Sequence, residues 1–160
     1  MIRQSTIELL KEMRFSGMAV ELEKQLENNE AYRDMPFEDR LAMLVDAEWN
    51  RRQSNKYLRC IHNARFAAHD ATMEGIEYYE DRRLNKTQML QLATCQYITD
   101  GHHVILKGAS GNGKTYLACA LGEAACRKLL SVRYFRMPEL IGRAHDRQRA
   151  QGTETGYEGL

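Results

Sequence analysis

The chain has 160 residues, 43% of them hydrophobic and 28% charged, with only two prolines; this composition excludes a disordered or fibrous chain and points to a helix-rich globular protein. Its 23 basic and 22 acidic residues leave a formal charge of +1, so no global field draws it to nucleic acid or anionic lipid, and any such contact must be local. No run approaches the roughly 18 apolar residues of a spanning helix, and Met1 to Lys11 holds no signal-type apolar core, so a cytoplasmic protein without membrane contact is expected.

Ser5-Thr6-Ile7-Glu8 has capping-box spacing, and Ile7, Leu10, Met13, Met18, Leu22 and Leu26 recur at helical intervals. This predicts two short helices within Thr6 to Asn28, broken near Ser16-Gly17. Pro36 suits a first helical turn, and Phe37, Leu41, Leu44, Val45 and Trp49 continue at three-to-four spacing, predicting a long helix into the fifties. Between Trp49 and Phe66 the chain carries Arg51, Arg52, Lys56, Arg59 and Arg65 with no acidic residue, interleaved with Trp49, Tyr57 and Phe66. A basic helix face with aromatics can grip phosphates, whereas an ordinary solvated face with core aromatics gives the same pattern. Arg51, Arg52, Lys56 and Arg59 are the candidate DNA contacts.

From Ala67 to Asp100 the balance turns acidic, which marks a domain boundary: a helical domain over 1–66, a linker over 67–84 and a second domain over 85–160. Asn85 is placed to cap a helix running through Thr87, Leu90, Leu92 and Tyr97 to Asp100-Gly101. His103 to Lys107 is short, apolar and β-rich, and predicts a strand. A glycine-rich turn follows, then a helix over Tyr116 to Leu129, a second strand over Ser131 to Arg136 and a helix from Pro138 to Arg149. Gln151 to Leu160 has no strong pattern.

Cys60, Cys95, Cys119 and Cys126 form no CxxC pair, which argues against a zinc ribbon or disulfide framework and for reduced, mostly buried thiols. Cys60 with His62 or His69 lacks a second ligand pair at zinc spacing.

Gly108-Ala109-Ser110-Gly111-Asn112-Gly113-Lys114-Thr115 matches the GxxxxGK[ST] phosphate loop in full, between a predicted strand and a predicted helix. Holding polyphosphate requires several inward backbone N–H groups, hence close approach and positive φ, and so glycine at 108, 111 and 113. Lys114 supplies a point charge for the β- and γ-phosphates, Thr115 a hydroxyl for Mg²⁺, and the following helix its N-terminal dipole. ATP and Mg are the cofactors expected. Hydrolysis needs in addition a carboxylate at the end of an apolar strand. After Thr115 the one predicted strand ends at Tyr134-Phe135-Arg136 without one, and Glu139 falls inside the next helix; no catalytic residue is assigned.

The run VILKGASGNGKTYLACALGEAACRKLLSVRYFRMPELI, with FEDRLAMLVDAEWNRRQSNKYLRCIHNARF upstream, resembles the IstB-type transposition helper ATPases, relatives of the DnaC helicase loaders, over about Leu10 to Ala150. The resemblance implies an α/β fold class: an N-terminal all-helical domain followed by an incomplete P-loop NTPase domain of the AAA+ class. It implies ATP-driven self-association on DNA, remodelling of target DNA and stimulation of a partner transposase. It also places an adenine pocket near Leu84 to Gln88 and Leu92. The family's Walker B strand, sensors and arginine finger lie downstream of Leu160, and its sheet order separates the strands at 104–107 and 132–136. The chain is therefore expected to be a truncated frame, unable to complete hydrolysis, with a marginally stable C-terminal half. A helicase loader that docks a replicative helicase, and a nonenzymatic helical module over 1–66 that binds DNA or protein, are the alternative readings.

Overall fold

The computed structural model describes residues 2–80 and 84–142, with side chains from residue 5 onward. Helices α1 (Ile2–Glu12), α2 (Ser16–Glu27), α3 (Phe37–Ala64), α4 (Lys86–Ala93), α5 (Gln96–Thr99) and α6 (Lys114–Arg127) follow in chain order, and 137–142 is also helical. The expected continuation to Arg149 and the stretch Gln151 to Leu160 lie outside the described residues. Two compact units divide at Arg59 and Cys60, ahead of the boundary expected at 66. Within the stretch expected as a linker, Ala71 and Ile76 are buried.

In the first unit, α1 already begins at Ile2, so Ser5 lies inside it and does not mark the helix start. The break falls at Arg14, whose φ of 63° is a left-handed conformation that ends a helix. Pro36 stands just before α3, its carbonyl accepting the Arg40 N–H at 3.2 Å. Glu38 and Asp39 complement the N-terminal dipole in the first turn. No glycine or proline interrupts 37–64, so α3 runs past the fifties to Ala64, where Arg65 at φ 56° stops it.

The interior of this unit is polar. Gln25, 1% exposed, is satisfied at both ends by Arg40: its amide donates to the Arg40 carbonyl at 3.2 Å and accepts from Arg40 Nε at 3.2 Å. Glu48, 5% exposed, accepts from the Gly17 N–H at 2.8 Å, from both donors of Arg51 at 3.1 and 2.7 Å, and from Arg52 Nε at 2.6 Å. Arg51 also donates to the Arg14 carbonyl at 3.1 Å, and Arg52 stacks 5.0 Å from the Phe15 ring centre. The turn between α1 and α2 is thus fastened to α3 by the two arginines whose charge Glu48 neutralises. By contrast Trp49 is 61% exposed, so it is not a core aromatic.

Gly17 makes this possible, since a Cβ there would stand 2.8 Å from Ala47 O and 2.8 Å from Glu48 Cα, both backbone atoms of α3. Gly17→Ala is expected to destabilise the unit by about 1–3 kcal/mol through overpacking. The opposing gain in helix propensity is at most about 1 kcal/mol. Chemical unfolding of the whole chain followed by circular dichroism checks this; unchanged stability would mean that α2 and α3 separate without cost.

The second unit is built on α6, eight of whose 14 residues are buried. Small side chains let other segments lie close: a Cβ on Gly122 would stand 2.5 Å from the ring of buried Phe66. Asn85 caps α4 as expected, its side chain accepting the Gln88 N–H at 3.1 Å. The helix foreseen through Tyr97 is broken at Cys95, which adopts φ 59°. Thr94 Oγ1 donates to Gln91 O at 2.7 Å and accepts from Gln96 N–H at 3.3 Å, a local side-chain alternative to the helical ladder.

The two predicted strands are corrected: 103–107 and 131–136 carry no regular secondary structure, and no β-ladder forms among the described residues. A strand exists only by pairing, and the Tyr134 N–H goes instead to Ala64 O at 2.8 Å. Ile105 is accordingly 76% exposed. The cysteines are all free, with Cys95, Cys119 and Cys126 buried and Cys60 partly so. Burial pushes the Cys126 thiol up to about 11.

Candidate nucleotide-binding site

The loop before α6 takes its shape from two glycines. Gly111 has φ 84° and Gly113 φ 72°, left-handed values that cost an L-residue about 1–2 kcal/mol. Gly108 is not in that region, and a Cβ there would meet Asn112 Nδ2 at 3.9 Å and Lys114 Cδ at 4.0 Å, an ordinary contact. The requirement for positive φ thus holds at two of the three glycines expected to carry it.

Gly113 is the N-cap of α6 and brings no side chain to it. The helical ladder starts with Leu117 N–H to Gly113 O at 3.0 Å, so the N–H groups of Lys114, Thr115 and Tyr116 have no acceptor within the helix. Three donors and the positive end of the dipole therefore converge where the loop ends. Lys114 reaches back over the loop and its ammonium donates to Gly108 O at 2.9 Å and Ala109 O at 2.6 Å. Thr115 is exposed in the first turn.

Two concavities flank this start. One, of about 270 Å³, is lined by Leu84, Gln88, Met89 and Leu92, by 104–108, and by Asn112, Lys114 and Leu117. It brings the expected base-binding residues Leu84, Gln88 and Leu92 to the same hollow as the loop lysine. The other, of about 380 Å³, lies between Gly75, Ile76 and Glu77 and the first turn of α6 at Gly113, Tyr116 and Leu117. The sequence reading did not single out the 75–77 wall. A Cβ at Gly75 would collide with the Tyr116 hydroxyl, so glycine is what lets this wall approach α6.

The 72–76 segment is tied down along α6. The Thr72 N–H reaches the Tyr116 hydroxyl at 3.5 Å, and Glu74 receives Arg127 at the far end of the helix. The Arg127 guanidinium, which also binds Glu123 at 2.7 Å, holds the Glu74 carboxyl below the usual carboxylate range.

The candidate DNA contacts Arg51, Arg52, Lys56 and Arg59 lie in the first unit and are not equivalent. Arg51 and Arg52 are both bound to Glu48, while Lys56 and Arg59 are exposed.

The family model described as IstB-like ATP binding protein matches residues 8–156. An ATP-binding protein of insertion sequence IS1162 from Pseudomonas fluorescens is 34% identical over 88% of this chain and 61% of its own length. An insertion-sequence ATP-binding protein of Sinorhizobium fredii is 31% identical over 88% of this chain and 57% of its own. One from Mycobacterium tuberculosis is 30% identical over 82% and 52% respectively. The chain thus spans between 52% and 61% of the length of these relatives. With its phosphate loop inside the matched region, the chain belongs to the family of IstB-like ATP-binding proteins.

Proposed function

We propose that this chain binds ATP with Mg²⁺ at Gly108–Thr115 and serves as the nucleotide-binding helper of an insertion-sequence transposase, acting on DNA in the cytoplasm as a self-associating assembly. The observation that carries the nucleotide reading is the loop itself: two left-handed glycines lead into a helix start with three free-ended N–H groups, and the Lys114 ammonium folds back over the same loop. The transposase and DNA reading draws on the relatives, which are insertion-sequence proteins by name.

The residues fit the ligand. Backbone donors of 111–116 would hold phosphate oxygens, and Lys114 would exchange its carbonyl acceptors for them. When bound, Mg²⁺ offsets phosphate charge, and Thr115 would present its hydroxyl to the ion. Among the described residues no cluster of three His, Cys, Asp or Glu could hold a metal. The carboxylates of described residues after Thr115 are Glu123, held by Arg127, and exposed Glu139. Neither is offered to the loop, so ATP binding is proposed for this stretch and hydrolysis is not.

The segments 104–107 and 132–136 are, on this reading, strands of an α/β P-loop sheet that await pairing; the exposure of Ile105 supports it. Titrating the chain with a fluorescent ATP analogue and Mg²⁺ is expected to give saturable binding that unlabelled ATP displaces. Absence of displaceable binding would refute the nucleotide reading.

A further inference from the structure

A second charged hollow lies in the same unit as the phosphate loop but shares no lining residue with either concavity beside it. It has a volume of about 250 Å³ and is walled by Arg65, Arg133, Tyr134, Phe135, Arg136 and Glu139, with Ala67 at its edge. Its three arginines are exposed and its two aromatics half-buried. Three positive charges face a single carboxylate there, in a chain whose overall charge is only +1.

The backbone explains how residues so distant in sequence meet. Arg65 is the residue that ends α3, turned off the helix axis by its φ of 56°. The 131–136 segment is pinned beside it by the Tyr134 N–H to Ala64 O bond of 2.8 Å. Arg133 and Arg136 both line the hollow, together with Arg65 from the end of α3. Guanidinium forks presented this way match phosphate oxygens, and half-buried aromatics give the hollow a firm floor.

We infer that this arginine hollow holds the phosphodiester backbone of DNA. The inference rests on the DNA partner proposed above and gives it a location apart from Arg51 and Arg52, which are bound to Glu48. Contact here is independent of sequence: three phosphate-directed arginines position a strand and read no base edges.

The test is fluorescence anisotropy of labelled duplex and single-stranded DNA with the full chain over a series of salt concentrations. In Arg133→Gln/Arg136→Gln, affinity is expected to fall and the slope of log affinity against log salt to flatten by roughly 0.9 for each arginine removed on duplex. Arg133→Lys/Arg136→Lys should keep most of the slope, because charge and not only folding is at stake. Glu139→Gln should tighten binding a few-fold. ATP-analogue binding unchanged in all three variants shows that the unit remains folded. Binding and slope unaltered by the double glutamine change would overturn the hollow while leaving the DNA reading intact. No DNA binding by the unsubstituted chain would overturn the DNA reading and the hollow with it.

Discussion

Lys114→Ala is expected to weaken ATP binding by about 2–4 kcal/mol, roughly thirty- to a thousandfold in Kd, which removes it from the range of an ordinary titration. The ammonium is the one side-chain cation in the loop, and its hydrogen bonds to Gly108 O and Ala109 O place it within the cradle and not out in solvent. Its removal leaves backbone donors and a helix dipole, which together amount to partial charges. The substitution touches no buried packing, because Lys114 is only partly covered, so circular dichroism should be unchanged. Wild-type affinity in the variant would show that the loop is a glycine-rich turn with an incidental lysine.

Glu48→Ala carries the largest expected effect on stability, of order 2–4 kcal/mol, the lower part of the range being favoured because Arg51 and Arg52 retain partial access to water. The carboxylate gathers a backbone N–H and two guanidinium groups, and every partner comes from the first unit. Chiefly the hydrogen bonds from Arg51, then those from Arg52 and the Gly17 N–H, hold its pKa at about 2 against an ordinary 4.5, while burial works in the opposite direction. A carboxyl whose folded pKa lies below its unfolded value stabilises the fold above the unfolded value, and that contribution drains away as pH falls toward the folded one. The stabilisation from Glu48 should therefore start to fall below about pH 4.5 and keep falling as pH approaches 2, with Glu48→Ala flattening the stability profile across that window. A profile identical to wild type would remove Glu48 from its place as the link between α2 and α3.

Features set by neighbours in sequence were legible before the structure. The GxxxxGK[ST] spacing located the loop, Asn85 marked a helix start, and the three-to-four spacing from Phe37 to Trp49 announced a long helix. Features set by distant neighbours were not. Arg51 and Arg52 looked like free cations because the basic stretch was counted from Trp49, one residue past the Glu48 that binds both. Gly17 looked like a helix breaker, whereas its missing side chain is what lets two helices touch. Val104 to Leu106 has strand composition, but composition cannot supply the paired backbone that makes a strand. The arginine hollow escaped notice because Arg65 and Arg133 belong to segments that only folding brings together.

The reach of Lys114 over its own loop has a thermodynamic meaning. An ammonium already bonded to two carbonyls is not waiting in water for a phosphate; a nucleotide must displace one set of acceptors to become the other. Association at this loop is thus an exchange reaction, in which two neutral oxygens are traded for charged ones and then rehydrated. The gain is the difference between a charge–dipole and a charge–charge contact. Phosphate charge, more than the number of contacts, is what the lysine discriminates, so a triphosphate should be separated from a monophosphate more sharply here than by a lysine extended into solvent.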